Sequence, residues 1–284
     1  MATFTNQATL SYNNTVTSSN IVTGELVEDI EVTKIAVIDT YSSGDDVTYI
    51  VSIANSGASA ITGLTLTDNL GAYTFNSQTL YPLTYIDGSV RYFINGILQP
   101  APVSSGAQPI SFTGISVPAG GNALIIYEAL VNEFAPLSTA STIENTVTVS
   151  GGGLSTEATA SETITVSNEP QLTISKNISP STVTENSQIT YTFTIQNYGN
   201  SEADATDNAV VTDTFNPVLS NITVAFNGAT WAETTDYTYD EATGLFTTVA
   251  GKITVPAATY VQDSQTGAWV VNHGESTLIV TGTV

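Results

Sequence analysis

Lysine, aspartate and asparagine stand in this sequence at strand positions whose neighbours on the same face are apolar. By alternation, Lys34 shares a face with Ile30, Val32, Ala36 and Ile38. Asp68 shares one with Leu64, Leu66 and Leu70, and Asn145 with Ile143, Val147 and Val149. A second set follows the same pattern: Lys176 with Leu172, Ile174 and Ile178, and Asp213 with Val211 and Phe215. Only 4 basic residues exist in 284, so two at matching inward positions call for a reason. An unpaired charge in a core costs several kcal/mol, and an amide without partners also costs. Two chemistries satisfy such a triad. One is a buried Lys–Asp ion pair with Asn completing the hydrogen bonds. The other is a spontaneous Lys–Asn isopeptide bond, which needs a neutral amine as nucleophile and a protonated acid beside the amide. A dry core favours both species, because desolvation lowers a lysine pKa and raises that of an aspartate. In the first set the bond joins Lys34 to Asn145, with Asp68 shuttling protons. By contrast Lys252 is opposite in parity to Ile253 and Val255 and is expected to face solvent.

These residues are positioned by an internal repeat. Tyr49 follows Lys34 by 15 residues and Tyr191 follows Lys176 by 15; Asn55-Ser-Gly57 and Asn197-Tyr-Gly199 each begin 21 residues after their lysine. Further matches pair Leu64–Asp68 with Ala209–Asp213, Asn95-Gly96 with Asn227-Gly228, and Val117-Pro-Ala119 with Val255-Pro-Ala257. A last match pairs Leu124-Ile-Ile126 with Leu278-Ile-Val280. Val47, Tyr49, Val51 and Ile53 alternate with polar residues, as do Ile189, Tyr191, Phe193 and Ile195. Short alternating segments separated by Gly and Asn turns predict an all-β chain of two tandem immunoglobulin-like β-sandwich modules. The expected divisions are an N-terminal hairpin over 1–28, a first module over 29–168 and a second over 169–284, with a boundary at Asn168-Glu169-Pro170.

The run from Lys34 through Tyr49 and Asn55-Ser-Gly57 to Asp68, repeated from Lys176 to Asp213, resembles the prokaryotic conserved-repeat family called domain of unknown function eleven. The resemblance implies immunoglobulin-like modules of bacterial surface proteins, generally without enzymatic activity. The outline of two repeats is similar to subunits of clostridial spore appendages, and the inward Lys–Asp–Asn set is similar to the cross-link sites of collagen-adhesin-type surface domains. A place on the cell or spore exterior is the implied localisation.

Composition limits the other functions. Acidic residues number 26 against 4 basic ones, a formal charge of −22, which disfavours nucleic acid and anionic membranes as partners. Such acidity keeps an assembled protein soluble. Cysteine is absent, removing disulfides, thiolate metal sites and thiol nucleophiles. The single histidine, His273, sits in an Asn-His-Gly turn, and no glycine-rich phosphate loop opens a helix. No cofactor is implied, and no catalysis beyond autocatalytic cross-linking. The clusters Asp204, Asp207, Asp213 and Asp236, Asp240, Glu241 lack the spacing and turn glycine of a calcium loop. No secretory signal and no run of ~18 apolar residues is read, so neither ordinary export nor membrane insertion is expected.

Assembly is read from the second repeat. The first continues past Leu130 to the strand around Asn145, the Gly151-Gly-Gly153 turn and a strand through Val166. The second has no such strands, whereas Phe4–Leu10 matches Ile143–Val149 and is followed by Asn13-Asn14 and a strand near Ile21–Leu26. The N-terminal hairpin is therefore expected to complete the second module of a neighbour. Asn6, on the face of Phe4, Ala8 and Leu10, would then meet Lys176 and Asp213 and form an intermolecular isopeptide with Lys176, Asp213 shuttling protons. The partner is self, in a head-to-tail homopolymer, with other surface or appendage proteins as further partners. The alternative is a non-polymerising adhesin or stalk that makes contacts through the aromatic loops Tyr73–Tyr85 or Trp231–Tyr239.

Overall fold

The computed structural model describes residues 2–26 and 30–284. Nearly all regular structure in it is β; the exception is a short 3-10 turn, Ala205–Asp207. Among the described residues no helix is long and apolar enough to cross a membrane. The chain divides into two compact units, the first of residues 1–39, 46–131 and 144–164, the second of 40–45, 132–143 and 165–284. This differs from a simple cut at 168: the N-terminal hairpin groups with the first unit, and two short stretches group with the second.

In the first sandwich, one sheet runs Ile97–Gln99, Arg91–Ile94, Asn122–Val131, Asp46–Asn55, Ile30–Ala36 in spatial order. The facing sheet runs Val103–Ser104, Ile110–Val117, Ile61–Asp68, Thr142–Gly151, Ala158–Val166, Thr40–Tyr41. Val47, Tyr49, Val51 and Ile53 are fully buried, as are Leu64, Leu66, Ile125, Val147 and Val149. The predicted inward set is thus the core of an immunoglobulin-like sandwich, with the alternation that a half-buried strand requires.

The second sandwich reuses half of this plan. One sheet runs Leu172–Ser179, Gln188–Asn197, Gly274–Thr283, Ser220–Phe226, Ala229–Trp231. Its facing layer holds three strands in the order Thr212–Thr214, Leu245–Thr248, Tyr237–Asp240. Thr212–Thr214 carries the counterpart of Asp68 and pairs on one side with Leu245–Thr248. In the first sandwich the other side of Ile61–Asp68 is taken by Thr142–Gly151. Among the described residues no strand fills that place in the second.

The Asn-x-Gly repeat has a shared purpose. Asn55 Oδ1 accepts from Gly57 N at 2.9 Å while its Nδ2 donates to the carbonyls of Ser59, Val117 and Pro118. Asn197 Oδ1 accepts from Gly199 N, and its Nδ2 donates to Ser201 and Val255 carbonyls. Asn55 thereby ties the end of its strand to the opposite sheet, and Asn197 ties its own to the segment around Val255. The dipeptides Asn95-Gly96 and Asn227-Gly228 form hairpin turns with positive φ at both residues, 48° and 79° in the first, 48° and 81° in the second.

Two expectations on register are corrected. Tyr127 lies opposite Tyr49, and Val280 lies opposite Tyr191. Since Tyr49 and Tyr191 are equivalent, Tyr127 matches Val280, and the sequence match of Leu124 to Leu278 is one residue off. Ile125 and Leu278 are the true pair, both fully buried; the apolar run reads the same either way, and only pairing fixes which face each residue takes. By the same register Val284 matches Val131. The N-terminal segment is also not one strand from Phe4 to Leu10. Strands Ala2–Asn6 and Thr9–Tyr12 are separated at Gln7-Ala8, where Ala8 N donates to Ser19 Oγ and Gln7 Nε2 to the Ser19 carbonyl. They pair with Val22–Leu26 and Thr15–Ser18, and the turn at Asn13-Asn14 takes positive φ at both residues.

Candidate functional site

Lys34 comes from the edge strand of one sheet of the first sandwich, Asp68 and Asn145 from adjacent strands of the other. The three converge. Lys34 Nζ donates to Asp68 Oδ2 at 2.9 Å, and Asn145 Nδ2 donates to the same oxygen at 3.3 Å. Asp68 and Asn145 are fully buried and Lys34 is 4% exposed. The Leu70 N–H, at 2.6 Å, ties down Asp68 Oδ1, so the chemistry of this carboxyl is confined to Oδ2. The Lys34 ammonium lies 4.5 Å from the Tyr49 ring centre, which explains the repeated tyrosine as a cation–π floor.

Electrostatics at the site oppose charge separation. Burial pushes Lys34 down from 10.5 to about 8, despite the nearby Asp68 carboxylate. Burial also raises Asp68, more than the lysine, the Leu70 amide and Asn145 lower it. Desolvation outweighs the pair's attraction for both partners, so the proton sits more easily on the acid than it would in water. A neutral amine beside a carboxylic acid is the state that amide attack requires.

Asn145 Oδ1 is buried without a hydrogen-bond partner. The two orientations of a carboxamide are chosen by the network around them. In the opposite orientation the carbonyl oxygen would accept from protonated Asp68, polarising the carbon that an amine attacks, and the amide nitrogen would be the orphan. Either way one buried polar atom is unsatisfied, at a cost of about 1–3 kcal/mol. Loss of that nitrogen as ammonia removes the orphan.

Sequence reasoning missed Tyr127. Its hydroxyl donates to Asp68 Oδ2, and its ring stacks on Tyr49 with centroids 5.8 Å apart. The signal was present in the inward alternation Ala123, Ile125, Tyr127, but the one-residue slip placed Tyr127 against Thr281, on the outer face.

The second site has the same lysine and acid in an open setting. Lys176 Nζ pairs with Asp213 Oδ2 and lies 4.4 Å from the Tyr191 ring centre and 5.3 Å from that of Phe215. The lysine side chain is 39% exposed and the aspartate 19%, against 0% for both in the first site. Leu172, Ile174 and Ile178 on the lysine strand are 39%, 55% and 39% exposed, whereas Ile30, the equivalent of Leu172, is buried at 8%. An apolar cleft of about 150 Å³ runs beside them, lined by Leu172, Ile174, Ile195, Val210, Val211 and Ile253. In the N-terminal hairpin Asn6 is exposed opposite Val22, and Phe4 and Leu10 are 58% and 62% exposed.

The remaining candidates serve local structure. Asp204 and Asp207 form a reciprocal capping box around Ala205–Asp207. Asp236 accepts from Ala232 N and pairs with half-buried Lys252 at 2.9 Å; Asp240 accepts from Ala242 N and Thr243 Oγ1. His273 meets Gln196 and stacks loosely on Tyr198. The aromatic segments read as contact loops are largely packed inward: Tyr85 against Phe112, Trp231 against Phe226, Tyr239 against Phe215 with its hydroxyl on the Leu219 carbonyl.

No family model and no curated protein matches the chain. Solved structures with partial likeness include a family 123 glycoside hydrolase from Clostridium perfringens, at 11% identity, 45% of this chain, 22% of that one and TM-score 0.29. Others are the pilus backbone of Streptococcus pneumoniae, at 14% identity, 86% of this chain, 55% of that one and TM-score 0.36, and the collagen-binding subdomain of the Enterococcus faecalis surface protein ACE, at 9% identity, 49% of this chain, 99% of that one and TM-score 0.31. The chain thus spans about half of the pilus backbone and less than a quarter of the hydrolase. Likeness at this level fixes neither family nor function.

Proposed function

We propose that this protein is the structural subunit of an extracellular or spore-surface fibre, polymerising head-to-tail by strand donation and locked by Lys–Asn isopeptide bonds. The observation that carries this reading is the pairing of a deficit with a surplus. The second sandwich has a bare strand edge, an open Lys176–Asp213 pair and an apolar cleft. The N-terminal hairpin has exposed apolar residues and an asparagine in the sequence context of Asn145. Docking the hairpin of one copy beside Thr212–Thr214 of the next covers that edge and buries the aliphatic side chains, each worth about 1 kcal/mol or more. It also brings Asn6 to Lys176 in the relation that Asn145 holds to Lys34. Such a contact is heterologous, so it propagates as an open filament and does not close into a dimer. In the first module Lys34 and Asn145 join within the chain, with Asp68 carrying the proton from the amine to the departing ammonia. Negative-stain electron microscopy of purified protein tests the scheme: full-length chain forms filaments and the chain lacking residues 1–27 does not. Filaments from the deleted chain would overturn it.

A further inference from the structure

We infer that Tyr127 is a positioning residue for the first cross-link and that, lacking an equivalent, the second site forms its bond on a slower clock. This rests on the reading that Lys34 and Asn145 join. The reaction is a balanced exchange. The Nζ lone pair attacks Asn145 Cγ, the Cγ–Nδ2 bond breaks, ammonia leaves, and Asp68 takes a proton from the amine and returns it to the departing nitrogen. No oxidant or co-reactant enters. The acid must therefore pass between carboxylate and carboxylic acid inside a core without solvent. Each state needs a partner of the opposite kind, since a carboxylate only accepts while the acid must also donate.

A hydroxyl is the neutral group that serves both. The Tyr127 hydroxyl donates to Oδ2 of the carboxylate and by rotating accepts from the acid, while the Leu70 amide keeps Oδ1 fixed. The tyrosine is itself held by its ring, which packs on Tyr49 at 5.8 Å and Phe112 at 5.4 Å. In the second site the equivalent position is Val280, and the ring stacked on Tyr191 is that of Phe215, at 4.9 Å, which carries no hydroxyl. Asp213 has Lys176 and the Thr214 N–H as partners and relies on solvent for the rest until a strand covers it. The intramolecular bond thus closes as the module folds, whereas the intermolecular one waits on docking and proceeds without a tyrosine hydroxyl on its acid.

The test uses full-length protein made by cell-free synthesis, quenched in acidic denaturant at successive times and weighed intact. In wild type the first ammonia is lost at a measurable rate. Tyr127→Phe, which keeps the ring, slows that loss about ten- to a hundredfold. Ring-fluorinated tyrosine at 127, which changes hydroxyl acidity with little change in packing, alters the rate, an effect that a purely packing role does not produce. An unchanged rate in both substituted proteins overturns the role of Tyr127 and leaves the cross-link standing. A wild-type chain that never loses ammonia overturns the cross-link itself.

Discussion

The two sandwiches hold the same lysine, acid and aromatic floor, yet one site is sealed and the other open. Lys34 and Asp68 have no exposed side-chain surface, and the strand carrying Asn145 closes the gap between them and water. Lys176 and Asp213 occupy the same places with 39% and 19% exposure. Among the described residues the first pair is covered by Thr142–Gly151 and Ala158–Val166 and the second by no such strands, while the pair itself is the same. The comparison teaches that the solvation of a Lys–Asp pair belongs to its covering. Burial depresses Lys34 and raises Asp68, and the cover that does so also delivers the amide. On the proposed reading, the open copy reacts only once another chain supplies both.

The largest effect that could break this comparison is all-or-none. If Asn6 and Lys176 are the open site's cross-link, filaments boiled in detergent run as a ladder in wild type and as monomer in Asn6→Ala or Lys176→Ala. Filaments remain visible before boiling, because strand pairing is retained. A ladder that survives either substitution would show that the two sites are not equivalent.

Next in size is the cost of removing each lysine. In an Asn145→Ala background, where no internal bond forms, Lys34→Met leaves Asp68 buried and unpaired and lowers unfolding free energy by about 3–5 kcal/mol. Lys176→Met in monomer lowers it by less than about 1 kcal/mol, since the exposed pair is screened and solvated. Denaturant titration of the two modules checks both, and equal costs would remove the distinction between sealed and open.

The sealed pair also has a pH signature. Burial holds Lys34 at about 8 in the fold against 10.5 when unfolded, and Asn145→Ala leaves the amine free to titrate. Between these values the unfolded chain holds the extra proton, so stability rises with pH, by up to about 3 kcal/mol across the window. Asp68, raised in the fold, acts in the other direction at lower pH: its contribution is fully present below the ordinary aspartate pKa and is lost as pH rises through its folded value. Thermal midpoints measured from pH 8 to 10.5, with Lys34→Met as the control, read the lysine term; a flat profile would place the lysine in water.

The smallest effect sharpens what the modules share. Asn55→Ala and Asn197→Ala each remove a buried amide that ties a strand end to a carbonyl distant in sequence, Val117 in one module and Val255 in the other. Each costs about 1–2 kcal/mol, and by similar amounts in the two modules, because these ties do not depend on the missing strands.

The sequence by itself determined much of this protein. Inward lysine, aspartate and asparagine were legible because a strand has period two, so parity alone assigns a face. The repeat was legible because Asn-x-Gly and Asn-Gly turns demand particular residues wherever the backbone bends in those ways. Other features were decided by tertiary structure alone. Alternation cannot tell a register from its neighbour in an unbroken apolar run, so Leu124, Ile125 and Ile126 were matched one residue away from their partners and Tyr127 was hidden. The break at Gln7-Ala8 depends on hydrogen bonds donated to Ser19, eleven and twelve residues away. Exposure at Lys176 follows from the lack, among the described residues, of a second neighbour for Thr212–Thr214, and pairing across a sheet is a long-range property. Alternation is local and can be read from neighbours, whereas the seal over a charged pair depends on chain segments distant in sequence.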